Sequence, residues 1–287
     1  MTALAAASPD RARCRTCDKL WRNRGAMVGA AIVLVFVVLA VLAPILPIPD
    51  PTATDWGAIR KPPSALHWLG TDELGRDLLS RMIWGARASL MAGVISVAIA
   101  VAVGVPIGVV AGYFGGWTDQ VIGRATDALL AMPFLILAIA LAAFLGPSLT
   151  NAMIAIGLSA VPIFVRLTRG QVLSVKTEDY VEGARAVGLG HLRIMQRYIL
   201  PNVLAPILVQ ATLTIATAII AEASLSFLGL GQQPPAPSWG SMLNTARSFL
   251  EQAPWLAVWP GIAIFLVVIG FNLFGDGLRD TLDPREN

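Results

Sequence analysis

The sequence predicts an all-α integral membrane protein with six membrane-crossing helices, both termini on the cytoplasmic side, and one ordered cytoplasmic elbow. Three observations predict it. The 287 residues are 56% hydrophobic and only 14% charged, with a mean hydropathy of +0.69, far more apolar than an ordinary soluble domain. Six apolar runs, each long enough to cross the hydrocarbon core, alternate with polar breaks. With the N-terminus inside, the inner segments hold fifteen Lys and Arg and the outer segments six, the bias that orients a polytopic chain. The net charge of +3 and pI near 9.2 therefore reflect topology, and no nucleic-acid partner is implied.

Residues 1–25 form a basic cytoplasmic tail carrying Arg11, Arg13, Arg15, Lys19, Arg22 and Arg24. Cys14 and Cys17 make a C-x-x-C pair there. A zinc site needs four ligands and a thioredoxin motif a βαβ setting, and neither surrounds this pair. Residues 26–87 hold the first span and an extracytoplasmic segment. The apolar run 27–46 is too long for a signal-peptide core, and its best small-residue site, Ala43, precedes Pro44. Within 47–87, Leu74, Leu78, Leu79, Met82 and Ile83 recur at helical spacing opposite Arg76, Asp77 and Arg81, which predicts an amphipathic helix at the outer interface.

Residues 88–279 form a five-helix core. Its spans are expected at 88–112, 128–145, 150–167, 203–228 and 256–278, with residues 113–127 as a loop and 229–255 as a second outer segment. Small residues such as Gly104 and Gly108 permit close packing, and Pro106, Pro133 and Pro162 predict kinks that neighbouring helices can satisfy. Residues 280–287 are a short cytoplasmic tail.

The cytoplasmic loop 170–201 contains the elbow, TEDYVEGARAVGLGHLRIMQRYILPN from Thr177. Thr177 is the expected N-cap, Glu178 and Asp179 set acidic charge in the first turn, and Gly188 stands where a helix ends in a left-handed residue. A second arm runs from His191 to Leu200, and Pro201 is expected to end or kink it. A solvated interhelical loop is the simpler alternative.

The chain lacks any Gly-Lys dipeptide and so any G-x-x-x-x-G-K-[ST] phosphate loop. It also lacks H-E-x-x-H and G-x-S-x-G, and its two histidines, His67 and His191, fall on opposite sides of the membrane. No catalytic or metal-binding residue is nominated. Glu222, deep in the fifth apolar run, is the best candidate for an intramembrane functional carboxylate, either in a structural pairing or in a proton pathway. Asp127 and Arg166 stand at span ends, where interfacial anchoring accounts for them, and Asn272 suits an interhelical hydrogen bond. An inert bundle with an ordered cytoplasmic elbow implies that energy arrives by contact with another chain.

The residues also carry a resemblance. Glu182-Gly183-Ala184, Gly188 and Ile199-Leu200-Pro201 resemble the E-A-A, G and I-x-L-P positions of the coupling loop in permeases of bacterial ABC importers. LGTDELGRDLLSRMIWGARASL from Leu69, LSFLGLGQQPPAPSWGSML from Leu225 and FGDGLRDTLDPR from Phe274 narrow this to the C-type permease of dipeptide, oligopeptide and nickel importers. Gly183 replaces the family's first Ala, the I-x-L spacing is compressed to Ile199-Leu200, and Tyr198 replaces a His found in many relatives. The resemblance implies a type I permease fold in the inner membrane, with 178–187 docking on a cytoplasmic ATPase. Glu182 would orient the contact, and Gly188 would permit the bend. It further implies a second homologous permease as heterodimer partner, two ATPase subunits that bind ATP and Mg, and an extracytoplasmic solute-binding protein. This chain would hold no cofactor. A self-sufficient proton-coupled carrier using Glu222 is the main alternative, and a membrane scaffold or enzyme a third.

Overall fold

A computed structural model describes residues 19–282; Arg11, Arg13, Arg15, Cys14, Cys17 and Arg285 lie outside the described residues. The helices are α1 (Arg24–Leu42), α2 (Leu78–Phe114), α3 (Gly116–Leu130), α4 (Phe134–Leu145), α5 (Leu149–Val175), α6 (Asp179–Ala186), α7 (His191–Phe227), α8 (Trp239–Ala246) and α9 (Trp255–Leu282). Among the described residues five helices, α1, α2, α5, α7 and α9, are long and apolar enough to cross a membrane, and α3 and α4, bent by 90°, meet that criterion only as a pair.

The core is built on backbone proximity between α2 and α5. Gly104, Gly108 and Gly112 line one face of α2, and a Cβ at Gly104 or Gly108 would stand 2.8 or 2.7 Å from Val161 O or Val165 O of α5. Lipid tails are as apolar as leucine, so packing of this kind, rather than hydrophobic exclusion, holds spans together. Gly157 of α5 returns the contact, 2.9 Å from Ser96 O. The same device joins α1 to α9: a Cβ at Gly29 would lie 2.6 Å from Gly270 O. The exposed Leu34, Val35 and Val41 of α1 then face hydrocarbon.

Two expectations are corrected. The outer amphipathic helix is the first turns of α2. Helix formation begins at Leu78 because Asp77 caps it, its Oδ1 accepting from Ser80 N at 2.8 Å, and α2 then continues without a break. At 37 residues it measures about 55 Å, well beyond a core of about 30 Å, so its first turns stand outside the bilayer. Nor are they a peripheral surface, since Leu78, Ser80 and Arg81 are buried.

The third span is also different. Residues 116–127, expected as loop, belong to α3, which turns by 90° into α4. Pro133 offers no N–H and keeps Met132 from continuing the helix. Asp119, Gln120 and Asp127 make α3 unfit to cross hydrocarbon. It is instead stitched across the inner end of α5, with Asp119 paired to Arg169 and Asp127 to Arg166 Nη2 at 2.5 Å. Thus Asp127 and Arg166 anchor each other.

The outer surface is an ordered cap. Asp72, Arg76 and Arg81 are each at most 6% exposed. Asp72 Oδ2 accepts from Arg76 Nε at 2.6 Å and lies 3.1 Å from Arg81 Nε, while Arg76 Nη2 meets Glu73 at 2.5 Å. Burial and the neighbouring Asp72 hold the Glu73 carboxyl above the usual carboxylate range, against the pull of Arg76 and Arg81. Arg81 Nη1 also donates to Pro51 O at 2.8 Å and Pro235 O at 3.4 Å, so one guanidinium ties both outer segments to α2. Pro234-Pro235 is a cis peptide.

Candidate functional site

The cytoplasmic elbow is α6 and the turn after it. Asp179 and Glu182 place negative charge in its first turn and Arg185 places positive charge in its last, both favourable to the helix dipole. The helix is amphipathic: Val181 and Ala184 are buried against the bundle, whereas Tyr180, Glu182, Gly183, Arg185 and Val187 are exposed.

The exit from α6 is a Schellman turn. Leu189 N donates to Ala184 O at 3.2 Å and Gly188 N to Arg185 O at 2.9 Å, with Gly188 at φ +78°. Two carbonyls that the helix end would leave unpaired are thereby satisfied. Among the described residues, nothing beyond the adjoining backbone lies within 4 Å of a Cβ built on Gly188 or Gly183, so conformation, not space, calls for glycine at 188. At 183 the chain itself imposes no such need, and the residue costs about 1 kcal/mol of helix propensity relative to alanine.

Two details of the elbow differ from expectation. Thr177 is not the cap; its Oγ1 donates to Ser174 O at 2.9 Å, closing the end of α5, and the N-cap position falls to Glu178, whose side chain makes no capping bond. Pro201 does not end the second arm. Residues 191–199 run continuously into α7 through a π-helical turn, Met195–Ile199, in which Leu200 N reaches back to Met195 O. The wider turn absorbs the donor missing at Pro201, the usual use of a π-bulge. Leu200 is half-buried and Pro201 exposed on the inner end of α7, one helix away from Glu182 and Gly183 rather than within the elbow turn. Beside the elbow, Gly190, His191, Leu192, Arg193, Gln196 and Arg197 line an open, basic groove of about 690 Å³.

Glu222 lies far from this site. It is 0% exposed, its Oε2 accepting from Ser89 Oγ of α2 at 2.9 Å and its Oε1 from Ser226 Oγ at 2.7 Å. Ser89 Oγ in turn accepts from Trp239 N of α8 at 3.4 Å, and Ser226 Oγ from Gln232 N at 3.1 Å. The carboxyl group thus knots α2, α7 and the outer segment before α8 together. Among the described residues no group of three or more His, Cys, Asp or Glu side chains is placed to hold a metal ion.

Sequence reasoning missed the outer knot of Asp72, Arg76 and Arg81. Its signal is the close run of opposite charges bracketing Gly75, although the partner carbonyls Pro51 and Pro235 could not be foreseen.

Residues 104–287 match the family described as the binding-protein-dependent transport system inner membrane component, and residues 15–63 match the N-terminal transmembrane domain of oligopeptide transport permease C. The chain belongs to this permease family. It is 48% identical to a dipeptide transport system permease of Alkalihalophilus pseudofirmus, over 93% of this chain and 88% of that one. It is also 44% identical to a glutathione transport system permease of Escherichia coli, over 99% and 95%. The fold is that of the permease chain in inward-facing structures of the MetNI methionine ABC transporter, with a TM-score of 0.59 at 19% identity, covering 72% of this chain and 98% of that one. This permease is therefore a multi-pass inner-membrane protein and the membrane-spanning subunit of an ABC importer, a transport component that works with ATPase partners.

Proposed function

We propose that this permease forms half of the translocation pathway for di- or oligopeptides or a related small solute, and that α6 with the Gly188 turn is the lever through which cytoplasmic ATPases drive it. The other half would come from a second homologous permease. Two ATPase subunits would hold ATP and Mg, and a solute-binding protein would deliver cargo to the outer cap. The substrate class is supported by relatives whose names specify dipeptide and glutathione transport.

The observation that carries the proposal is the build of α6: eight residues, buried on one face, exposed on the other, and closed by a Schellman turn. A helix this short is marginal in isolation, so its order comes from Val181 and Ala184, and its exposed face is free to meet another chain. In that contact Glu182 orients the ATPase surface and Gly183 keeps the exposed face slim, while Ala184 lets the opposite face sit close on the bundle. Leu200 and Pro201 brace the inner end of α7.

Glu182→Lys reverses the charge on the exposed face. Gly188→Leu adds a Cβ with open space around it but must hold a left-handed conformation, costing about 1–2 kcal/mol. Both variants should insert normally yet lose most of the ATPase that co-purifies with the wild-type complex. Undiminished ATPase retention and uptake in both would refute the lever.

A further inference from the structure

We infer that Tyr113, together with His191 and Arg185, is the contact that carries motion of the elbow into α2, and that Tyr113 and His191 are positioning residues for coupling. The inference rests on the reading of α6 as the ATPase lever. The chain connects α6 covalently to α5 before it and α7 after it. Helix α2, which packs closely along α5 through Gly104, Gly108 and Gly157, has no such tie and needs a non-covalent one to move with the elbow.

The structure supplies one at the inner end of α2. Tyr113 is 7% exposed, and its hydroxyl lies 2.9 Å from His191 Nδ1, at the first turn of α7. The Arg185 guanidinium of α6 sits 5.3 Å from the centre of the Tyr113 ring, within the range of a cation–π contact. His191 also packs edge-on against Tyr113, with ring centres 5.7 Å apart, and lies 5.8 Å from Phe114. At the residue preceding Tyr113, Lys176 Nζ donates to Gly112 O at 2.8 Å, closing the C-terminal end of α2 from the end of α5. The last turn of α2 is thus held from three elements that flank or form the elbow. The exposed face of α6 stays free for a partner.

These contacts are few and specific, so they can be cut without dismantling the bundle. Tyr113→Phe removes the hydroxyl and keeps the ring beneath Arg185. His191→Ala removes the partner. The test uses the complete transporter, with its second permease, ATPases and binding protein, in proteoliposomes, scoring solute taken up per ATP hydrolysed with radiolabelled dialanine, or glutathione where dialanine is not carried. A lost hydrogen bond of ordinary strength should lower that ratio by about 3- to 10-fold, with the ATPases still bound. The double variant should be no lower than the worse single one, because both cut the same link.

An unchanged ratio for Tyr113→Phe, or effects that multiply in the double variant, would overturn the inference. So would loss of the ATPases from Tyr113→Phe, which would make the contact part of docking. Undiminished ATPase retention and uptake in both Glu182→Lys and Gly188→Leu would instead refute the lever reading on which the inference rests.

Discussion

Gly75→Ala is expected to abolish assembly of the outer cap and with it most uptake, even though it adds a single methyl group. Gly75 has φ +74°, and a Cβ there would lie 1.8 Å from the carbonyl oxygen of Asp55 and 2.7 Å from its carbonyl carbon. Both atoms are backbone, so no rotamer change can relieve the clash. Movement of Asp55 would release the short turn it caps, where Gly57 N donates to its Oδ1 at 2.8 Å. Movement of Gly75 would pull on the Asp72 carboxylate, which accepts from both Leu74 N and Arg76 N at 2.9 Å and is paired with two buried arginines. Uncompensated buried charge is among the most destabilising defects a protein can carry, about 3–5 kcal/mol when one partner of a buried pair is lost. The yield of monodisperse protein and the ATP-driven uptake should each fall at least about tenfold, a factor that corresponds to about 1.4 kcal/mol. Gly123→Ala is the matched control: nothing lies within 4 Å of its Cβ position, and helix α3 gains propensity.

Glu222 gives the second large effect, and its variants separate structure from proton transport. Glu222→Leu leaves the hydroxyls of Ser89 and Ser226 without their acceptor in a site where Glu222 is wholly buried. Stranded polar groups cost about 1–3 kcal/mol each, and the outer segment around Gln232 and Trp239 should loosen, with a drop in thermal stability and uptake. Glu222→Gln keeps the shape and enough hydrogen-bonding capacity, because serine hydroxyls rotate to suit either end of the amide. Its uptake and the pH dependence of that uptake should match wild type. A proton-coupled carrier would lose transport as fully with glutamine as with leucine.

Much of the architecture was legible because membrane spans announce themselves by length and by charge on their flanks. The apolar runs at 27–46 and 256–278 correspond to α1 and α9 with shifts of a few residues, the run 203–228 is the part of α7 beyond Pro201, and Gly188 takes the left-handed conformation its position implied. What escaped is non-local or cooperative. The helical pattern from Leu74 to Ile83 is real, but its start is set by the Asp77 cap and its burial by carbonyls of Pro51 and Pro235, far away in sequence. Thr177 looked like a cap from its type and place, yet α5 runs on to Val175 and its hydroxyl turns back to serve that helix. Pro201 looked like a terminator, and a single π turn, invisible to any residue scale, let the helix pass through it. Pro133 was expected as a kink within one span, 128–145, and is instead a 90° break between two helices; that the preceding residues form a helix across the inner face depended on Arg166 and Arg169 of α5 being there to hold Asp127 and Asp119. For the site, the elbow was readable from glycine and charge placement alone, but Tyr113, a lone tyrosine at the end of an apolar run, carried no signal until its distance to His191 was known.

The central claim is that this permease is moved by ATP hydrolysed on other chains. Uptake of radiolabelled dipeptide into proteoliposomes tests it most directly, comparing this chain alone, with an imposed proton gradient or ATP, against the full set of second permease, ATPases and binding protein. Concentrative uptake should occur only with the full set and should require ATP. Concentrative uptake by this chain alone, driven by the proton gradient, would contradict the account.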